Sequence, residues 1–273
     1  MNTIKSELAK ERKATVAGLF YPAHPGALRK LINGYLGTDL PPANCSPEIL
    51  IVPHAGYTYS GAVAGKAFSL LRGGVNKFTR VAVLGPPHRV YLNKIAIPSS
   101  RSFLTPLGRI RIDNESLCQL TSRMDSIITS DSAHQDEHCI EVQLPFLQMV
   151  CSGFSLLPFL VGDLRVSEVA LLISALLEIE GTLIVISTDL SHYLSYTEAN
   201  LRDAQTARQV EAFDYRSLDD HDVCGIWALR GALKFASENK MVIHRMALQN
   251  SGDTSGHRDQ VVGYGAWMIS SRE

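Results

Sequence analysis

The chain of 273 residues carries 26 Lys and Arg against 27 Asp and Glu, a formal charge of -1 with histidine neutral. That balance argues against a nucleic-acid binder, and 45% apolar with 19% charged residues is the composition of a globular chain with a sizeable core. Every apolar run falls short of the roughly 18 residues a membrane-spanning helix needs, and MNTIKSELAKERKATVAGLF lacks the charged-then-apolar order of a secretory leader, so a cytoplasmic protein is expected.

In chain order, EILIVPH and RVAVLGPPH are short β-branched strand runs. Between them SGAVAGKAFSLLRGG has helical spacing with a glycine stop, which completes a βαβ unit. KIAIP and GRIRI read as strands, NESLCQLTSRM and EVQLPFLQMV as helices, FSLLPFLVG as a strand, VSEVALLISALLEI as a helix and GTLIVIS as a strand. SYTE at Ser195 offers a capping box to the helix EANLRDAQTARQVEAF. DDHDVCGIWALRGALKFASE is predicted as a further helix before the closing strands MVIHRMAL and VVGYGAWMIS. This alternation predicts an α/β fold with a central mostly parallel or mixed sheet flanked by helices. No internal repeat or low-complexity linker interrupts it, so residues 1–273 read as a single domain.

Histidines stand where predicted strands run out. His54 and His88 each follow a strand of the βαβ unit, so both should emerge at one sheet edge, where open α/β sheets place their ligands. Strands about 4.8 Å apart, or about 10 Å for next-nearest ones, let two imidazoles reach a shared ion in either arrangement. In IVISTDLSHY the strand ends near Ser187, which puts Asp189 and His192 in the following loop. Histidine and carboxylate at one mouth suit a divalent metal or acid–base work, although a single histidine after a strand is more commonly structural.

Cys224 lies near a predicted helix start, where Asp222 could cap and the dipole would favour a thiolate; the plainer reading is a buried small hydrophobe. Cys118, Cys139 and Cys151 fall in apolar helical patterns and Cys45 in a proline-rich loop, with no CxxC pair and no disulfide expected. His138 lies beside Asp136, Glu137 and Glu141, and either joins the site or pairs locally with Glu141. His24, His134, His221, His244 and His257 default to surface or packing roles, while Arg12, Tyr21, Pro22 and Ser251 to Asp253 read as loop positions near a mouth.

The motifs ATVAGLFYP, PHAGYTYSG, VAVLGPPH, TPLG, DEHCIEVQLPFL, STDLSHY and CG follow one another from about residue 12 to the C-terminus. In this order they resemble the MEMO family, called AmmeMemoRadiSam system protein B in microbes. The resemblance implies one MEMO-like domain, fold-related to the class III extradiol (LigB-like) dioxygenases that use non-heme iron. It implies a metal held by His54, His88 and Cys224, with Asp189 and His192 in the loop where the dioxygenases carry a catalytic histidine. A thiolate in place of their carboxylate is softer, so iron (Fe2+) is expected and copper or zinc are alternatives, and ring cleavage is not implied. Cys139 stands where the family commonly has serine.

Two functions follow from the resemblance. One is a metal-dependent redox enzyme in which His192, oriented by Asp189, moves protons for a small-molecule substrate. The other is an adaptor that takes a peptide in the same cleft. The microbial family name further implies AMMECR-type and radical-SAM proteins as partners.

Overall fold

Aliphatic runs such as Ile49–Val52 and Thr182–Ser187, buried at every position, form strands covered on both faces, as parallel strands in α/β folds are. The structure, a computed structural model, describes residues 11–38, 46–74 and 78–272. Cys45 with its proline-rich loop, and the first ten residues of the leader reading, lie outside the described residues.

The first half of the chain runs β1 (Glu11–Arg12), α1 (Pro25–Leu36), β2 (Ile49–Val52), α2 (Tyr57–Phe68), β3 (Arg80–Gly85), β4 (Ile95–Ile97), β5 (Ser102–Thr105), β6 (Gly108–Arg111), α3 (Asn114–Arg123) and β7 (Ile127–Thr129). The second half runs α4 (Asp131–Gln135), α5 (Leu144–Val150), β8 (Ser155–Val161), α6 (Val166–Leu177), β9 (Thr182–Ser187), β10 (His192–Leu194), α7 (Tyr196–Glu211), α8 (Ile226–Glu238), β11 (Val242–Asn250), α9 (Ser251–Ser255) and β12 (Val261–Ser270).

The main sheet is mixed, in the order β10-β12-β2-β9-β3-β8-β4-β7 with β11 on β12. Its centre, β2-β9-β3-β8, is parallel, and β12 and β4 join that centre antiparallel. Helices flank it in packed groups, α1 with α2 and α5, and α6 with α8, so the chain is a single α/β domain with one continuous core. A small sheet β1-β5-β6 stands apart.

The predicted βαβ unit is present, with β9 seated between its two strands. Ile51 pairs with Ile186, and Ile186 with Leu84, so the carboxyl ends of β2, β9 and β3 form one row. Three loops leave from that row side by side. The capping box at Ser195 is formed in both directions with Glu198, and β12 has the predicted limits.

The helix predicted from Asp219 begins only at Ile226, because Gly225 is its N-cap and no side chain caps it. Asp222 instead accepts hydrogen bonds from the backbone of Asp219 and the side chain of Arg202. Arg12 is not in a loop: it lies on β1, and Ser251 to Asp253 belong to the short helix α9 capped by Asn250.

Arg12 also anchors the amino-terminal segment. Its guanidinium meets the fully buried Glu141 at 2.6 Å and donates to the carbonyls of His134 and Glu137. The Glu141 carboxylate further accepts from the backbone of Thr15 and Val16, the Thr15 hydroxyl and the Tyr21 phenol. Burial pushes this carboxyl up, but the Arg12 charge and these donors outweigh it and hold the group below the usual range.

Candidate metal centre

Proline ends two of the three strands at the row. Pro53 follows β2 and Pro86-Pro87 follow β3, and each turns the chain so that the next residue, His54 or His88, faces the gap over β9. His138 enters from the turn after α4. Its ring stacks on His88 at 4.7 Å, and His54 meets both rings edge-on at 5.1 and 5.3 Å. One ring nitrogen from each of the three lies within 4.8 Å of the other two, a spacing that can hold a metal ion.

The hydrogen bonds decide which nitrogen is free. The Ser187 hydroxyl has one proton, donated to the Cys139 carbonyl at 2.7 Å, so it accepts both from the Gln143 amide and from His54 Nδ1 at 2.9 Å. His54 therefore carries its proton on Nδ1 and leaves Nε2 as a lone pair. That Nε2 accepts the Cys224 thiol across 3.3 Å, a distance at which both atoms could also reach one ion. Burial, and the neighbouring His88 and His138, hold the His54 imidazole well below its usual range, so the ring is neutral and ready to ligate.

Cys224 precedes the N-cap of α8. Gly225 makes this possible: its amide donates to the Thr188 hydroxyl at 2.8 Å, and a Cβ there would come within 2.7 Å of Thr188 Cβ. The sulfur receives the Asp189 backbone N–H at 3.2 Å. Burial and the Asp189 carboxylate nonetheless push the thiol up to about 12, the reverse of the shift expected from a helix dipole. Without a cation, Cys224 is a thiol. It also lies outside the group of mutually close donors formed by the three histidines.

Asp189, the expected partner of His192, turns elsewhere. Its carboxylate accepts the His54 backbone N–H at 2.7 Å and stands 4.0 Å from His54 Nε2; no hydrogen bond joins it to His192 among the described residues. Burial raises its pKa. His192 sits half-buried on β10. Its neighbour Tyr193 has a φ of 58°, the left-handed region, at a bulge in the β10–β12 pairing.

His138 does not pair with Glu141, which belongs to the Arg12 cluster; its ring packs at 4.8 Å against Phe20 and its backbone and Nδ1 approach Glu137. Cys139 lies in a turn rather than a helix, fully buried, and donates to the Pro86 carbonyl. It groups with His88 and Glu137 as a second set of close donors. Burial and the Glu137 charge raise this thiol well above its usual value. The residues that the motifs did not single out are Glu137, Ser187 and Phe20, whose signals are an acid beside a histidine, a strand-terminal serine and an aromatic in the amino-terminal segment.

A family model described as Memo-like protein matches residues 12–268. The chain belongs to that family. Among its Memo-like relatives is a MEMO1 family protein of Methanopyrus kandleri, 33% identical over 94% of this chain and 98% of the relative. Others are found in Thermoplasma volcanium, at 31% identity over 96% of this chain and 99% of the relative, and in Archaeoglobus fulgidus, at 32% over 93% and 97%. Among the described residues, no helix is long and apolar enough to cross a membrane.

Proposed function

We propose that this Memo-like protein is a metal-dependent redox enzyme, dioxygenase-like, with ferrous iron as its ion and a small organic molecule as its substrate. The observation that carries the reading is the His54 lone pair, fixed by Ser187 and facing both the Cys224 sulfur and the other imidazoles. Imidazoles and a thiol that a cation would deprotonate fit a borderline-soft metal such as iron, copper or zinc. His54, His88 and Cys224 would hold it, with His138 alongside. When bound, the metal supplies a Lewis acid with open positions for oxygen or substrate.

The chain's own groups do the rest. His192 holds or moves a proton at its ring nitrogen, and Asp189 orients His54 and the Cys224 sulfur rather than His192. Phe20, packed on His138, shields that flank of the cluster from water. A peptide-binding cleft is the second reading. It is favoured by the exposed Leu19, Tyr59, Tyr91 and Tyr193, each within five residues of a site residue in the chain.

Anaerobic purification followed by metal analysis separates the two. One equivalent of iron per chain, lost in His54→Ala and His88→Ala variants that stay folded, supports the enzyme. A protein that takes no metal under any loading and still captures peptides overturns it.

A further inference from the structure

We infer that Glu137 is a positioning residue, whose carboxylate fixes the tautomer and orientation of His88 and so presents His88 Nε2 to the metal. Glu137 is buried beside His88, and its two oxygens divide the work. Oε2 accepts the His88 backbone N–H at 2.6 Å, and Oε1 stands 2.9 Å from His88 Nδ1. Oε1 also accepts the backbone N–H groups of His138 and Cys139, at 2.8 and 3.0 Å.

With three backbone donors aimed at it, the group is an acceptor-only carboxylate, so the proton on the short contact to His88 belongs to Nδ1. Backbone and ring of one residue are thus gripped by the two oxygens of one side chain, which leaves the ring little rotation. The same Oε1 also lies 3.2 Å from His138 Nδ1, a longer contact than the 2.9 Å to His88 Nδ1. The shorter contact, together with the grip on the backbone of the same residue, falls on His88. Ser187 does for His54 what Glu137 does for His88, and the two imidazoles reach the gap with matching free nitrogens.

The inference rests on the metal reading, and the experiment keeps the two apart. In the metal-free wild-type protein, 15N imidazole spectra should show His88 protonated on Nδ1. A His88 protonated on Nε2 overturns the assignment, whatever the protein does with metals. Zn2+ titrations of wild type and Glu137→Gln then test the consequence, with an expected loss of roughly 10- to 100-fold in affinity and a change in the His88 tautomer populations, in a variant whose unfolding remains cooperative. Wild-type affinity in Glu137→Gln, or weaker binding with His88 still protonated on Nδ1, assigns the residue to backbone support alone and overturns the inference. If Glu137→Gln does not fold, the wild-type spectrum decides. A wild-type protein that takes no Zn2+ yet shows Nδ1-protonated His88 removes the metal reading and leaves the positioning by Glu137 standing.

Discussion

Metal uptake should release one proton per ion, and that proton should come from Cys224. In the empty site burial and Asp189 hold the thiol at about 12, while the Nε2 of His54 already lacks a proton. A metal that takes the sulfur as thiolate must displace the proton. At about pH 8 this opposes binding by about 4 pH units, or ~5 kcal/mol, a factor of ~10,000 in apparent affinity. Affinity should therefore rise about tenfold for each unit of pH through the mildly alkaline range, where imidazoles in general no longer titrate. Calorimetry of Zn2+ binding at about pH 8, in two buffers of different ionisation enthalpy, counts the protons directly. The expected count is one for wild type and none for Cys224→Ser. Zero protons from wild type, with an affinity equal to that of Cys224→Ser, would refute the His54, His88 and Cys224 ligand set and leave His54, His88 and His138 as the donors.

Removing one member of the buried Arg12–Glu141 pair leaves a charge without its partner, so Arg12→Met or Glu141→Gln should lose about 3 to 5 kcal/mol in urea unfolding. Arg12→Met combined with Glu141→Leu should recover much of that loss, and single variants within about 1 kcal/mol of wild type would show the pair to be solvated. Acid should weaken the fold through His134, which burial holds down at about 4 against an ordinary 6.5. Because its folded pKa is depressed, this stabilisation is fully present above 6.5 and is lost as pH falls towards 4, up to about 3 kcal/mol. Stability measured against pH should slope downward there less steeply in His134→Gln, and equal slopes would sink the assignment.

Much of the site was legible because strand ends are legible. Proline after β-branched runs marks where β2 and β3 stop, and the α/β pattern places both stops on one edge, so His54 and His88 could be paired before any contact was known. The Ser195 capping box is likewise a local signal over three residues. Signals that depend on distant partners were not legible. Asp222 looks like a cap until Arg202, twenty residues earlier, takes its carboxylate. Glu141 looks like a partner for His138 until Arg12, 129 residues away, claims it. Glu137 looks like surface charge, since nothing in DEHCIE shows that the His88 loop closes over it. α1 carries no cap of the usual type, its N-cap being His24, and β7 and β10, at three residues each, are too short for periodicity to show.

The seating of β9 between β2 and β3 has a consequence for synthesis. A ribosome delivers His54, His88 and His138 early, yet the two strands that carry the first pair are not neighbours, and the slot between them stays empty until Thr182–Ser187 has emerged. Until then Ser187 cannot orient His54, and Cys224 is still to be made. A nascent chain therefore displays three histidines without the geometry that joins them, and such long-range parallel pairing is the slow part of folding. The candidate donor set thus comes together only once Thr182–Ser187 and Cys224 have both been made.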